Sequence, residues 1–388
     1  MEIKDRLAIH MQAEREALQE ELVGIRRHLH QNPELSTVEF ETTAYIKDCL
    51  ATLGITIRET HMETGVFADI GSESKGKTIA IRADIDALPI QEKVAVSFAS
   101  QNAGVMHACG HDFHTASLLG AVKLLKEVED DLPGRIRFIF QPAEEGRDGA
   151  LHVIADGQLD GVDAIIGIHN KPDLPVGTVA LQSGCLMAAV DRFYVTIKGK
   201  GSHGALPHKG SDPIVTASHI VTALQSVVSR KVSPLDTAVI SVTRIDGGNT
   251  WNVIPEEVVM EGTTRAFSKE VRSLLKDEFY EIVNHITAAF GQKATIEWHP
   301  GPPPVINDKA LTEKLKVEAG KRLTVIETEP SIAGEDFAQY LMKVPGVFAF
   351  FGTNGTEDWH HPSFTVDESA LILAAEYFAT SALALLDK

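Results

Sequence analysis

Apolar residues at positions 7, 11, 18, 22, 25 and 29 fall on one helical face, which predicts an amphipathic helix that Asn32-Pro33 ends. Ser36, with Glu39 three residues later, has the form of a capping box and predicts a second helix closed by Gly54. Strands then follow at VFADI from Val66, TIAIRAD from Thr78, RIRFIF from Arg135 and DAIIGI from Asp163. Helices are expected between them, from Ala116 to Val128 and near Leu151. Strands alternating with helices predict an α/β layer sheet covered on both faces.

The pattern changes after Gly184. DRFYVTIKG, a helix from Asp212 to Arg230, TAVISVTRI, VVMEGTTRA, a helix from Ser268 to Phe290 and ATIEWH give the order β-α-β-β-α-β, the ferredoxin-like split βαβ unit. Gly-Pro-Pro-Pro at 301–304 is a stiff exit from it. The α/β pattern resumes with a helix from Lys309 to Leu323, the strand VFAFFG and a final core-packing helix from Ala370 to Leu386. A smaller α+β domain, residues 185–298, is therefore expected as an insertion into a larger one made of residues 1–184 and 299–388.

At about 150 residues per domain, a chain of 388 residues suits this two-domain division. Hydrophobic residues at 44% and charged residues at 23% supply a sizeable core and exclude global disorder. The formal charge of −18 repels phosphate backbones and anionic lipid, which argues against nucleic-acid and membrane-surface partners. No run of eighteen apolar residues exists, and the charged N-terminus MEIKDRLAIH lacks the apolar core of a secretion signal. Cys49, Cys109 and Cys185 are too few and too odd in number for a disulfide scaffold, so a reducing cytoplasm is expected. Sixteen histidines remain, and their positions matter more than their number.

MHACGHDFH places Cys109, His111, Asp112 and His114 between a loop and a helix expected to start near Thr115. Thiolate and imidazole suit zinc-like ions, and an extended backbone would turn Cys109 and His111 to one side. A buried thiol beside helix-capping polar groups would give the same letters. QPAEEG puts Glu144 and Glu145 directly after an apolar strand, at the end where open α/β sheets build their sites. One carboxylate could bind an ion while the other handles protons, although a bare Glu-Glu pair also suits a solvated loop. GIHN ends a buried strand with His169, and DWHHPSF sets His360 and His361 before a proline. Taken together, one cysteine, three histidines and a glutamate with a spare carboxylate suggest two ions sharing a bridging ligand and a water. In the inserted domain, GKGSHGALPH presents His203 on a Gly-rich turn that matches neither phosphate-loop nor dinucleotide pattern.

These segments, with RADIDALPI, WNVIP and GEDF, resemble in order the motif series of the aminoacylase/hippurate hydrolase/auxin-conjugate hydrolase amidohydrolases. Those enzymes are relatives of the aminopeptidase-like metallocarboxypeptidases, and the likeness runs from about Arg26 to Glu368. The resemblance implies an aminopeptidase-like mixed-sheet catalytic domain with an inserted lid and dimerisation domain. It implies two divalent ions, Zn, Mn, Co or Ni, with Cys109 bridging, His111 and His169 completing one site, and Glu145 and His360 the other. Glu144 would be the general base, His203 would reach the active site of a neighbouring subunit in a homodimer or higher oligomer, and Asn252 and Arg265 would lie near the substrate carboxylate. Where distant relatives carry a metal-binding histidine this chain has Asp84, and Asp86 is expected to orient a ligand from behind it. The implied reaction is hydrolysis of the amide bond of N-acyl-L-amino acids to a carboxylate and a free amino acid. A related metallo-dipeptidase or carboxypeptidase, a cysteine hydrolase using Cys109 and His111, and a non-catalytic metal-binding protein are the rival readings.

Overall fold

The unbroken apolar stretches in the expected strands leave no polar face to turn to solvent, so they belong in a sheet covered on both sides. The computed structural model, which describes residues 3–146 and 148–387, places them there. The chain runs α1 (Ile3–Gln31), α2 (Phe40–Thr52), β1 (Val66–Gly71), β2 (Thr78–Asp84), α3 (His111–Lys126), β3 (Arg135–Gln141), α4 (Gly149–Ala155), β4 (Ala164–Lys171) and β5 (Thr178–Ala180). It continues through β6 (Ala189–Lys198), α5 (Pro213–Arg230), β7 (Ala238–Gly247), β8 (Glu257–Ala266), α6 (Lys269–Ala289) and β9 (Lys293–Pro300). It closes with α7 (Lys309–Ala319), β10 (Thr324–Ile326), β11 (Gly346–Gly352) and α8 (Ala370–Leu386).

Two compact units result. The larger comprises Met1–Gly184, Ile306–Glu329 and Asp336–Lys388, and the smaller comprises Cys185–Val305 and Pro330–Glu335. The smaller unit thus takes in 299–305 and 330–335, which the strand and helix pattern assigns to the outer domain.

The larger unit holds a seven-stranded mixed sheet in the order β1-β3-β2-β4-β11-β5-β10. Its middle four strands, β3, β2, β4 and β11, are mutually parallel, so their carboxyl ends lie along one edge. β1 runs antiparallel to β3, and β5 antiparallel to β11. Every residue of β2 and β11 is buried. Helices α1, α3 and α8 pack together against this sheet. Gly120 permits that approach, because a Cβ there would lie 2.8 Å from Ala375 Cβ and 2.9 Å from Leu22 Cδ1. The strands β5 and β10, three residues each, are too short to show a period and escape sequence reading.

The smaller unit is a four-stranded antiparallel sheet in the order β9-β6-β8-β7, with α5 and α6 packed on it around Phe193, Leu224, Leu275 and Phe279. This is the ferredoxin-like order. Asp212 and Ser268 cap α5 and α6 by accepting from Ile214 N and Val271 N.

Two local expectations are corrected. Ser36 and Glu39 form no capping box: Ser36 Oγ donates to Asp86 Oδ2 at 2.7 Å, and Glu39 Oε1 accepts from Thr37 N and Ala143 N. Tertiary partners outbid the helix end. Helix α3 also begins at His111, four residues before Thr115, because Gly110 in the left-handed region turns the chain directly into it.

Candidate metal centre

The four parallel strand ends deliver the chemistry. Gln141 ends β3, and the turn behind it carries Glu144 and Glu145. His169 stands two residues inside the end of β4, not at its terminus. Cys109 and His111 follow the long excursion after β2, and His360 the loop after β11. His360 N donates to Ala108 O at 2.8 Å, which brings the last loop onto the first.

Between Cys109 and His111 the backbone is not extended. Gly110 adopts φ 83°, and a Cβ at this position would run into the side-chain amide of Asn170. That amide donates to Cys109 O at 2.5 Å and holds the thiol over the sheet edge. Cys109 Sγ lies 3.4 Å from His169 Nε2. His169 Nδ1 sits 2.8 Å from Asn170 O, so it must carry the proton, and Nε2 turns its lone pair toward the sulfur.

The donor atoms of Cys109, His111 and His169 lie within 4.8 Å of one another, as do those of Cys109, Glu145 and His360. The two groups share Cys109. A third group joins His111, Glu144 and Glu145 within the same distance. His111 Nε2 and Glu145 Oε1 are buried without a hydrogen-bond partner, although Glu145 Oε1 is 3.3 Å from His360 Nε2. Buried polar atoms left in this way are costly unless something binds them, and sulfur, imidazole and carboxylate donors in two groups suit borderline divalent ions. The residues therefore fit a pair of metal ions.

The electrostatics agree. Burial, then Glu145, Glu144 and Asp84, push the Cys109 thiol well above its usual range. Burial opposes charge on His111, but Asp84, Asp86 and Glu145 outweigh it and push His111 up to about 10. Burial, followed by His114, holds His169 well below the usual histidine range.

Asp112 and His114, neighbours of His111 in sequence, turn elsewhere. Asp112 accepts from Arg26 Nε at 2.7 Å and pairs with His30 Nδ1 at 2.8 Å. His114 Nδ1 donates to Asp84 Oδ1 at 2.6 Å while its Nε2 accepts from Asn170 N at 2.9 Å, so both ring nitrogens are spent on structure. Asp84 is buried between His114 and Arg82 Nη1, the latter at 2.6 Å. Asp86 lies 3.3 Å from His111 Nδ1 and accepts from the backbone N–H groups of Glu144 and Glu145 at 3.1 and 3.0 Å. It thus grips a histidine and the glutamate turn at once. Ala143 and His360, with φ 60° and 64°, hold left-handed backbone on either side of the cluster.

His203, Asn252 and Arg265 belong to the smaller unit. His203 is exposed on a two-residue strand paired with Val253–Ile254, and its Nδ1 accepts from Ala205 N at 3.0 Å. Asn252 O accepts from Gly204 N at 2.7 Å, so it braces the His203 turn. Arg265 donates to the carbonyls of Ile332 and Thr264 at 3.1 and 2.8 Å.

Sequence reasoning left Asn170 and Asp336 unassigned. Neither has a signal of residue type, since each acts on the site through contacts made by folding.

Residues 80–384 match the family model of peptidase family M20/M25/M40. Over 371 residues the chain is 60% identical to the N-acetyl-L-cysteine deacetylase of Bacillus subtilis, covering 95% of this chain and 89% of that protein. It is 50% identical to a second Bacillus subtilis protein, an N-acetylcysteine deacetylase, over 94% of this chain and 97% of the relative. Among solved structures, the YXEP protein of Bacillus subtilis, a dinuclear metal-binding peptidase of the M20 family, superposes with a TM-score of 0.87 at 46% identity. That match covers 96% of this chain and 99% of the other.

Proposed function

The chain belongs to peptidase family M20/M25/M40, and on that footing we propose that it hydrolyses the amide bond of N-acyl-L-amino acids, with N-acetyl-L-cysteine the first substrate to test. One observation carries this reading: two groups of metal-donor atoms share Cys109, with the Glu144 carboxylate beside them. Cys109, His111 and His169 would hold one ion, and Cys109, Glu145 and His360 the other. Bound divalent ions would polarise the acyl carbonyl and make water acidic enough to attack near neutral pH.

The chain's own residues do the rest. Glu144 is outside both Cys109 groups, and its backbone N–H is pinned by Asp86. Its carboxylate takes a proton from the attacking water and returns it to the amine nitrogen, which cannot depart as an anion. Asp86 keeps that turn and the His111 ring in register. His203 would stabilise the oxyanion from a neighbouring subunit, with Asn252 bracing its turn and Arg265 meeting the substrate carboxylate.

The smaller unit supports a homodimer, since its sheet has β9 and β7 as outer strands. β7 carries exposed Ile245, and the loop after it carries Trp251 at 94% exposure. Two-fold edge pairing would cover such a strand, and sedimentation at micromolar concentration would then show a two-chain species. We place the protein in the cytoplasm, whose reducing medium keeps the Cys109 thiol available for metal, and cell fractionation reads this. No helix among the described residues is long and apolar enough to cross a membrane.

The experiment separates base from ligand. Glu144→Gln should keep two ions by elemental analysis while losing roughly 10²–10⁴-fold in turnover, whereas Glu145→Gln should lose one ion. The reverse pattern overturns the assignment.

A further inference from the structure

Glu144 must present its carboxylate at one angle to serve as a base, and the backbone grip of Asp86 does not fix its side chain. One contact to that side chain comes from Asp336, which stands just before the short helix Ala338–Leu341. Asp336 N donates to Glu144 Oε1 at 3.4 Å. The backbone there is held from one side by the turn in which Asp336 O accepts from Gln339 N at 2.8 Å, and from the other by the Asp336 side chain.

That side chain is heavily anchored. Its Oδ1 accepts from Arg82 Nη2 at 2.8 Å and Gln141 Nε2 at 2.9 Å. Its Oδ2 accepts from Gln141 Nε2 at 2.7 Å and from Ala150 N, near the start of α4, at 2.9 Å. Gln141 Oε1 in turn accepts from Arg82 Nε and Tyr340 Oη at 2.8 and 2.9 Å. Arg82, Gln141 and Tyr340 are all buried. Gln141 ends β3 and Ala150 opens the helix after the Glu144 turn, so the anchors of Asp336 bracket that turn.

We propose that Asp336 is a positioning residue for the reaction: its carboxylate ties Asp336 to both ends of the glutamate turn, so that its own N–H helps to hold the angle of the Glu144 carboxylate. The inference rests on Glu144 being the base. Asp336→Asn tests it with little change of shape. However the new amide is turned, its NH2 faces either Arg82 Nη2 or Ala150 N, donor against donor, so the anchor loosens.

Misplacing a catalytic group by about 1 Å costs up to roughly 10²-fold. The folded Asp336→Asn protein should therefore lose about 10–100-fold in kcat, keep KM within about threefold, and retain both ions. In a Glu144→Gln background the same change should cost less than about threefold, since its target has gone. Wild-type kcat, loss of metal, or an equal fold-loss in the Glu144→Gln background overturns the proposal. Should Asp336→Asn not fold, Gln141→Met is read in the same way. It removes the Gln141 donor from both Asp336 oxygens and should give a smaller kcat loss with the same non-additivity, and an unchanged kcat there is equally fatal. A fully active Glu144→Gln protein sinks the base assignment itself, whereas an inactive one beside an unaffected Asp336→Asn sinks only this inference.

Discussion

Loading metal into this site should expel protons, and the structure says how many. In the metal-free protein, neighbouring carboxylates push His111 up to about 10, so at pH 7.5 its ring carries a proton that an incoming ion must displace. The Cys109 thiol, pushed well above its usual value by burial and then by Glu145 and Glu144, is likewise protonated. His169 is held well below the usual range and contributes none. The ligand set should thus release about two protons per chain, each making the overall loading constant rise about tenfold per pH unit. The sign follows from competition: protons and metal contend for the same lone pairs, so affinity increases with pH, less steeply once His111 deprotonates unaided near its raised value and only Cys109 still has a proton to lose. Titration calorimetry at pH 7.5, repeated in buffers of different ionisation enthalpy, reads the proton count from the slope of the observed heat. Ionisation of a bound water would add to that count in every variant, so the informative quantity is the difference between proteins. Cys109→Ala should release about one proton fewer than wild type. An identical count in both, or a wild-type count near zero, would refute the argument that desolvation and carboxylates keep this thiol protonated before metal arrives.

Two further outcomes follow. Gly110→Ala forces a side chain into left-handed backbone, with Phe364 Cζ 3.3 Å from the new Cβ and the Asn170 amide closer still. It should lower stability by about 2–4 kcal/mol and separate Cys109 from His111, so that calorimetric Tm and metal content both drop, and wild-type values of both would disprove the role given to Gly110. If His203 acts across a dimer, mixing inactive Glu144→Gln and His203→Ala proteins under exchange conditions should restore up to about a quarter of wild-type activity. No recovery, with exchange demonstrated, removes the trans assignment.

The sequence disclosed the sheet because the central strands are buried on both faces and so read as mainly apolar runs, with polar side chains only where a buried partner meets them, as Arg82 meets Asp84. TIAIRAD and VFAFFG admit no other reading once helices flank them. Ligand-type residues at the ends of those strands were visible for the same reason, since the carboxyl edge of a parallel sheet is where loops converge. What stayed hidden was direction. Cys109, His111, Asp112 and His114 are all plausible donors by type, and only the helix starting at His111 separates them, turning Asp112 toward Arg26 and His114 toward Asp84. The extended-backbone argument for Cys109 and His111 fails because Gly110 turns the chain between them. Ser36 and Glu39 show the same effect at a helix start: a spacing that would serve locally is taken over by Asp86 and Ala143, far away in sequence.

The acids around the donor cluster share a physical feature that bears on the site itself. Asp84, Asp86, Asp112 and Asp336 are buried carboxylates, and each is held by a charged or backbone partner from another segment. A buried carboxylate without such partners is strongly disfavoured, so every one of these acids commits two elements to a fixed distance. Asp84 ties β2 to α3, Asp86 ties the end of β2 to the glutamate turn, Asp112 ties α3 to α1, and Asp336 ties its own segment to β3 and α4. Of the donors that gather at the sheet edge, Cys109, Glu145 and His360 come from loops, which alone could not hold them within 4.8 Å of one another. The acids behind them supply the rigidity that the loops lack, and their identity can be read only from the fold that pairs them.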